Sequence, residues 1–379
     1  MIGRNYMITG GCWSILVGWT AFWAWLRWTP SGISWHFFPS SVHLLFGSAG
    51  LRLYAQHPEF QFGPLTSLVV APLTALPPAA GLVVAQLLMT AAGPFALWLV
   101  APLAAAPGPR RSCRVLPAGI VLAPAWTILS VRWAHTDDVL TLVLLAAAVR
   151  AVHARRGLPA GLLLGAALAA KPWAIGCAPI LLALPRRGAV RALPAAGLVA
   201  LAAWAPFLAA DAGTWSALRP SLQIADSSPL RLFGVRSAVV PPWTRSVQLL
   251  AAPLAGLLAV LRRRWPAALL VAIAVRLALD PQDIGYYAAG GVLAAVIADF
   301  GTTDRLVPWT AVITAVALWQ PFVADYGRRL QVSHGPALWW FEHPSLVAAV
   351  HVGWALITLA MLLAPDRSRP AGPGRLLRQ

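Results

Sequence analysis

Long apolar runs broken by short arginine clusters are what most narrows the folds open to this chain. Hydrophobic residues fill 59% of its 379 positions and charged residues only 11%. A water-soluble domain carries about 25% charged residues, so a soluble fold is excluded. The runs are long enough to cross about 30 Å of hydrocarbon as helices, and they lack the two-residue alternation of an outer-membrane barrel. The chain therefore reads as an all-α polytopic membrane protein: one integral domain over residues 1–366 and a cytoplasmic basic tail at 367–379. A net charge of +17 would suggest nucleic acid in a soluble protein. Here the arginines lie between apolar runs, the pattern of the positive-inside rule, and no continuous basic face forms. Nucleic acid is not an expected partner; the lipid bilayer is. The three cysteines, Cys12, Cys113 and Cys177, are scattered and imply neither a disulfide framework nor a metal cluster.

The first apolar run, Ile8 to Trp28, is too long and too tryptophan-rich for a signal peptide. It reads as an uncleaved first span with its N-terminus inside. A loop over 29–62 follows, with a short interfacial helix from Ser40 to Gly47. Phe62-Gly63-Pro64-Leu65 then opens a run of about 15 residues that stops at Pro77-Pro78, short for a crossing, so it is expected to be re-entrant or juxtamembrane. The next span is expected over Ala79–Ala105. Clusters at Arg110–Arg114, Arg155-Arg156, Arg186–Arg191, Arg262–Arg264 and from Arg367 set the inner side. The alternation gives roughly 12 transmembrane helices, both termini cytoplasmic, in the plasma (inner) membrane. It also puts nine of the 12 acids outside, with net charges of +15 on the inner face and +1 on the outer, Lys171 making up the +17. Two outer features then stand out. Arg132-Trp133-Ala134-His135-Thr136-Asp137-Asp138 holds the only adjacent carboxylates, and Lys171, at the apex of a 158–185 hairpin, is the only lysine. Charges kept at membrane depth are functional candidates by default.

The order of these parts resembles the GT-C superfamily of membrane glycosyltransferases: one span, an outer loop with interfacial helices, a Gly-Pro-Leu re-entry, an outer His/Asp turn and a Lys-Pro hairpin. It looks closest to the actinobacterial polyprenol-phosphate-mannose-dependent α-mannosyltransferases. The likeness covers about residues 9–210, and the segment 157–187, from Gly157-Leu158-Pro159-Ala160-Gly161 through Lys171-Pro172 to Pro185-Arg186-Arg187, carries most of it. The resemblance implies an inverting hexosyl transfer at the outer face. A sugar, mannose first, would move from a polyprenyl-phosphate donor to a glycolipid or cell-envelope glycan. It further implies a catalytic carboxylate in the first outer loop. There the chain departs from the pattern: Gly32-Ile33-Ser34-Trp35-His36 stands where an Asp is expected, and Glu59 is the loop's only acid.

Such a transfer needs a base for the acceptor hydroxyl, a cation for the phosphate and a dry cleft for the lipid. Asp137 or Asp138 suits the base, with His135 beside it; an Asp pair opening a helix is also an ordinary cap. Glu59 with His57 is the other candidate base, assisted by His36, though loop histidines are commonly just exposed. Lys171 suits the phosphate, as does Arg132; a snorkelling lysine and an interfacial arginine are the plainer readings. Asp280, Asp283, Tyr286 and Tyr287 offer rigid donors and acceptors to sugar hydroxyls, or form a turn with an aromatic belt. Trp339-Trp340-Phe341 reads as belt. The spacing shows no zinc or calcium motif, and no cofactor is expected. A transporter or flippase of lipid-linked intermediates is the rival from another class, although no clear repeated halves occur. A catalytically inactive structural relative is the third reading, and the first-loop departure supports it.

Overall fold

The computed structural model describes residues 2–104, 109–217, 222–318 and 342–363. Within them the chain is helical, with one isolated β-bridge between Gln223 and Val239. The order opens with α1 (Ile2–Arg27), α2 (Phe37–Leu45), α3 (Leu53–Gln56), α4 (Pro64–Val70), α5 (Pro78–Val100) and α6 (Pro109–Thr127). It continues with α7 (Thr136–His153), α8 (Gly157–Ala170), a 3₁₀ helix over Pro172–Ala183, and α9 (Arg186–Ala210). Two short helices, α10 (Thr214–Ala217) and α11 (Pro229–Leu232), precede α12 (Pro242–Leu261), α13 (Ala268–Ala278), α14 (Tyr287–Thr302), α15 (Trp309–Leu318) and α16 (Pro344–Leu363).

Proline sets several of these starts. It stands in the first turn of α4, α5, α12 and the 3₁₀ helix, where its missing N–H costs nothing and its fixed φ favours the helix. Proline also sits inside α5, α6, α9 and α12, as membrane helices tolerate when neighbouring groups take up the freed carbonyls.

Five helical segments are long and apolar enough to cross a membrane: Pro78–Leu103, Cys113–Arg132, Arg186–Ala210, Pro242–Leu261 and Pro344–Leu362. Six further apolar helices run only 10–17 residues. The dozen full crossings read from hydropathy are thus not reached by helix length among the described residues. Hydropathy measures how apolar a run is, not how it is wound or where it bends. The run after Gly63 illustrates this, splitting into α4 and a 3₁₀ turn over Ala71–Ala75 with Pro72 at its start. The expected first span is one unbroken helix, α1, and the expected interfacial helix appears as α2. The Trp339–Phe341 belt and the 367–379 tail lie outside the described residues.

Small residues let the helices close on one another. Gly157, Gly161 and Gly165 on α8 face Gly188, Ala192 and Ala196 on α9; a Cβ at Gly161 would lie 2.2 Å from the Ala192 carbonyl oxygen. This is the small-x-x-x-small packing that substitutes for a hydrophobic drive inside a bilayer. At α1 and α6, a Cβ on Gly119 would strike Leu16 at 2.1 Å. The large side chains that α9 and α12 turn outward are mostly aliphatic, Leu198 and Leu201 on the first and Leu250, Leu254 and Leu261 on the second, a surface suited to hydrocarbon.

The two ends of the bundle differ. At one, the Arg114 guanidinium donates to the carbonyls of Asp299, Thr303 and Arg305, closing the last turn of α14. At the other, the chain after α1 is zipped to the turn before α7: Ile33 N–H donates to Arg132 O (3.0 Å) and Ser34 N–H to Trp133 O (2.9 Å). Gly32 at φ +52 permits this approach, since a Cβ there would sit 2.8 Å from that of Ala134. Gln86 of α5 ties both segments together by donating to Thr29 O and Val131 O.

Candidate functional site

The site grows from an irregularity in the sixth helix. After Thr127 the chain winds as one π-helical turn, Ile128–Arg132, with Trp133 N–H reaching back to Ile128 O. Such wide turns often occur at functional sites. Ala134 then takes φ +51, a left-handed conformation costly for a residue with a Cβ. The reversal brings His135 in front of α7, whose first turn holds Asp137 and Asp138. The N-terminus of that helix favours negative charge.

Lys171 reaches the same point from the hairpin apex, and Pro172 is the cause. A residue before proline is driven out of the α region, so Lys171 sits extended at φ −149, ψ 120 between α8 and the 3₁₀ helix. The Gly-Pro-Leu re-entry braces this break: Gly63 N–H and Thr66 Oγ1 both donate to Ala170 O. No side chain larger than hydrogen fits at Gly63, where a Cβ would fall 2.0 Å from Ala169 O.

These four side chains form one buried cluster. Asp137 Oδ2 accepts from the Lys171 ammonium, and its Oδ1 accepts from His135 Nδ1 (2.6 Å) and the Asp138 N–H (2.9 Å). Asp138 Oδ2 lies 3.2 Å from Lys171 Nζ and 3.4 Å from His135 Nδ1. Its Oδ1 accepts from Trp173 Nε1 at 3.0 Å. The Asp137 side chain is 1% exposed and that of Asp138 7%. Tyr286 lies 4.2 Å from the His135 ring, centroid to centroid, and packs on Trp133 and Tyr287.

Lys171, Trp173, Tyr286 and Tyr287 also wall a cavity of about 550 Å³ that lies among α8, α9, α12 and the 3₁₀ helix and opens to the surface. Its other walls are largely apolar, Leu168, Ile175, Leu208 and Leu249 among them, and two arginines complete it. Arg276 of α13 is held with its guanidinium 4.9 Å from the centres of both the Trp173 and Tyr287 rings, and 3.7 Å from Asp280. Arg245 of α12 donates to Gln248 Oε1. The Nε–H of each arginine is buried without a hydrogen-bond partner, a cost unless a ligand's oxygen takes it up.

The fold thus gathers Asp137, Asp138, His135, Lys171, Tyr286 and Tyr287. Other candidates stand elsewhere. Glu59 pairs with His57 at 3.1 Å, half-exposed on the loop that leads to Phe60 and Gln61 of the cavity wall. His36 is exposed against Phe37. Arg132 is buried within the π turn. Asp283 turns to His351 of α16, 3.4 Å away, and burial raises its carboxyl above the ordinary range against the pull of His351 and a hydrogen bond with Ser227.

Sequence reasoning missed Arg276 and Arg245. Arg276 is the only charge inside the apolar run 265–279, which was the available signal. Arg245 stands at the start of its span beside Trp243, where an arginine reads as an anchor.

Fold and site together define a helical protein with five segments of membrane-crossing length and a buried acid–lysine centre beside an apolar, arginine-bearing cavity. Set against known proteins, the chain matches no family model, no curated protein and no solved structure.

Proposed function

We propose that this protein is a glycosyltransferase that moves a sugar, mannose first, from a polyprenyl-phosphate donor to a glycolipid or envelope glycan at the outer face of the plasma membrane. One observation carries the reading: the carboxylate–lysine cluster and a largely apolar cavity with two arginines share a wall. The apolar part suits the polyprenyl chain, and Arg276 and Arg245 have donors to spare for the phosphate. Lys171, engaged by both carboxylates, serves as their counter-cation.

Asp138 is the base on this reading, because Asp137 is the more enclosed of the two while Asp138 meets the cavity wall through Trp173. The acceptor hydroxyl gives its proton to Asp138 as its oxygen bonds to the sugar's C1. The C1–O bond to phosphate breaks, and the phosphate leaves with the electron pair, held by the arginines. Attack opposite the leaving group inverts C1.

Purified protein incubated with labelled polyprenyl-phosphate mannose and envelope lipid should transfer label to the lipid. No transfer with any envelope fraction would sink the reading. The rival is a carrier of lipid-linked intermediates, favoured by the hydrogen bonds or ion pairs that already occupy all four carboxylate oxygens. Movement of an intact donor across proteoliposomes without transfer would select it.

A further inference from the structure

His135, Asp137 and Asp138 offer ligating atoms that lie within 4.8 Å of one another. One imidazole and two carboxylates are a donor set that divalent ions such as Mn²⁺ and Zn²⁺ accept. Among these atoms, however, sits an ammonium. Lys171 Nζ touches Asp137 Oδ2 and lies 3.2 Å from Asp138 Oδ2. It comes from a separate element, and its position is fixed from outside the cluster: Pro172 holds its backbone extended, while Gly63 and Thr66 clamp the preceding carbonyl.

Charge explains why a cation belongs there. Two neighbouring buried carboxylates repel, and both stay ionised only if a positive group is close. Arg276 is turned instead to Asp280, Trp173 and Tyr287, and Trp173 already holds Asp138 Oδ1. The oxygens the amine occupies are those a metal ion would use.

We infer that Lys171 is a tethered cation seated where a divalent metal ion would otherwise bind, and that it closes this seat in the native protein. The inference stands on the cluster's geometry alone and holds equally for an enzyme or a carrier. Its consequence is a latent metal site that opens when the amine is removed.

The test uses the whole protein in detergent, with Mn²⁺ binding read from loss of the free-ion paramagnetic resonance signal and stability read from Tm. Lys171→Met, neutral and of similar length, should bind about one Mn²⁺ per chain, at least roughly tenfold tighter than wild type. Mn²⁺ should raise its Tm and leave that of wild type unchanged. Asp137→Asn added to Lys171→Met removes one charge and one ligand; this double variant should fold without metal and lose the binding. The inference is overturned if wild type binds Mn²⁺ as tightly as the variant, or if Lys171→Met binds none. Failure to recover folded Lys171→Met even with Mn²⁺ present overturns it too, because an ion that takes the amine's place should restore the fold.

Discussion

Asp137 and Asp138 are adjacent in sequence and unequal in surroundings. Asp138 is the more exposed and touches the cavity wall through Trp173. Asp138→Asn should therefore lower transfer by about 10²–10⁴-fold, the usual cost of losing a general base, with the protein still folded in detergent. Glu59→Gln should lose far less. If Glu59→Gln abolishes transfer and Asp138→Asn does not, the base belongs to the first loop and the Asp pair is a cap with a counter-ion. Arg276 carries a separate expectation. Its unpartnered Nε–H and its aromatic clamp predict that Arg276→Gln weakens binding of a long-chain alkyl phosphate by about 10–100-fold, the range for a hydrogen bond to a charged group. Arg276→Lys should recover only part of it, because a point charge cannot fill the planar slot between two rings. Equal affinity in wild type and Arg276→Gln would leave the arginine a structural role only.

At the level of elements, the hairpin shows what hydropathy could and could not reveal. The break at Lys171-Pro172 was legible, because proline chemistry is local. The 3₁₀ winding of Pro172–Ala183 was not. A run of 12 residues is unusually long for that helix, and nothing in an apolar composition distinguishes 1.5 Å from 2.0 Å of rise. At the larger rise the segment extends about 24 Å instead of about 18 Å, so this arm reaches further than its residue count suggests. The π turn was hidden for a similar reason: it depends on one extra residue per turn, not on residue type. The meeting of Lys171 with the Asp pair was suggested only by their common side in the charge pattern. The glycines of α8 were readable as spacing but not as contact. Their role predicts that Gly161→Leu, by driving α8 off α9, lowers stability by several kcal/mol. An unchanged Tm would mean that the two helices do not need this approach.

On the scale of the whole molecule, the charge pattern makes a statement about sidedness. Residues 222–240 dock on the turn after α13 through Ala225 N–H to Pro281 O and Ser228 Oγ to Asp280 O, so they belong to the same end as the acid–lysine cluster. In a background lacking the three native cysteines, a cysteine at exposed Ser237 should react with an impermeant thiol reagent on intact cells. One at exposed Thr302, at the Arg114 end, should not. The reverse pattern would turn the proposed orientation over, and the outer-face chemistry with it.

The cavity's composition bears on how its contents are counted. Leu249 and Trp215 line it and are also among the exposed large side chains, so its wall is continuous with the surface that faces hydrocarbon. A ligand dissolved in the lipid phase meets such an opening by travelling within a sheet rather than through water. Its supply is then set by its mole fraction among the surrounding amphiphiles. At fixed total donor, adding neutral detergent or lipid should slow the reaction by dilution in two dimensions, and adding buffer should leave the rate per protein almost unchanged. A rate that follows bulk concentration instead would mean that the donor enters from the aqueous side.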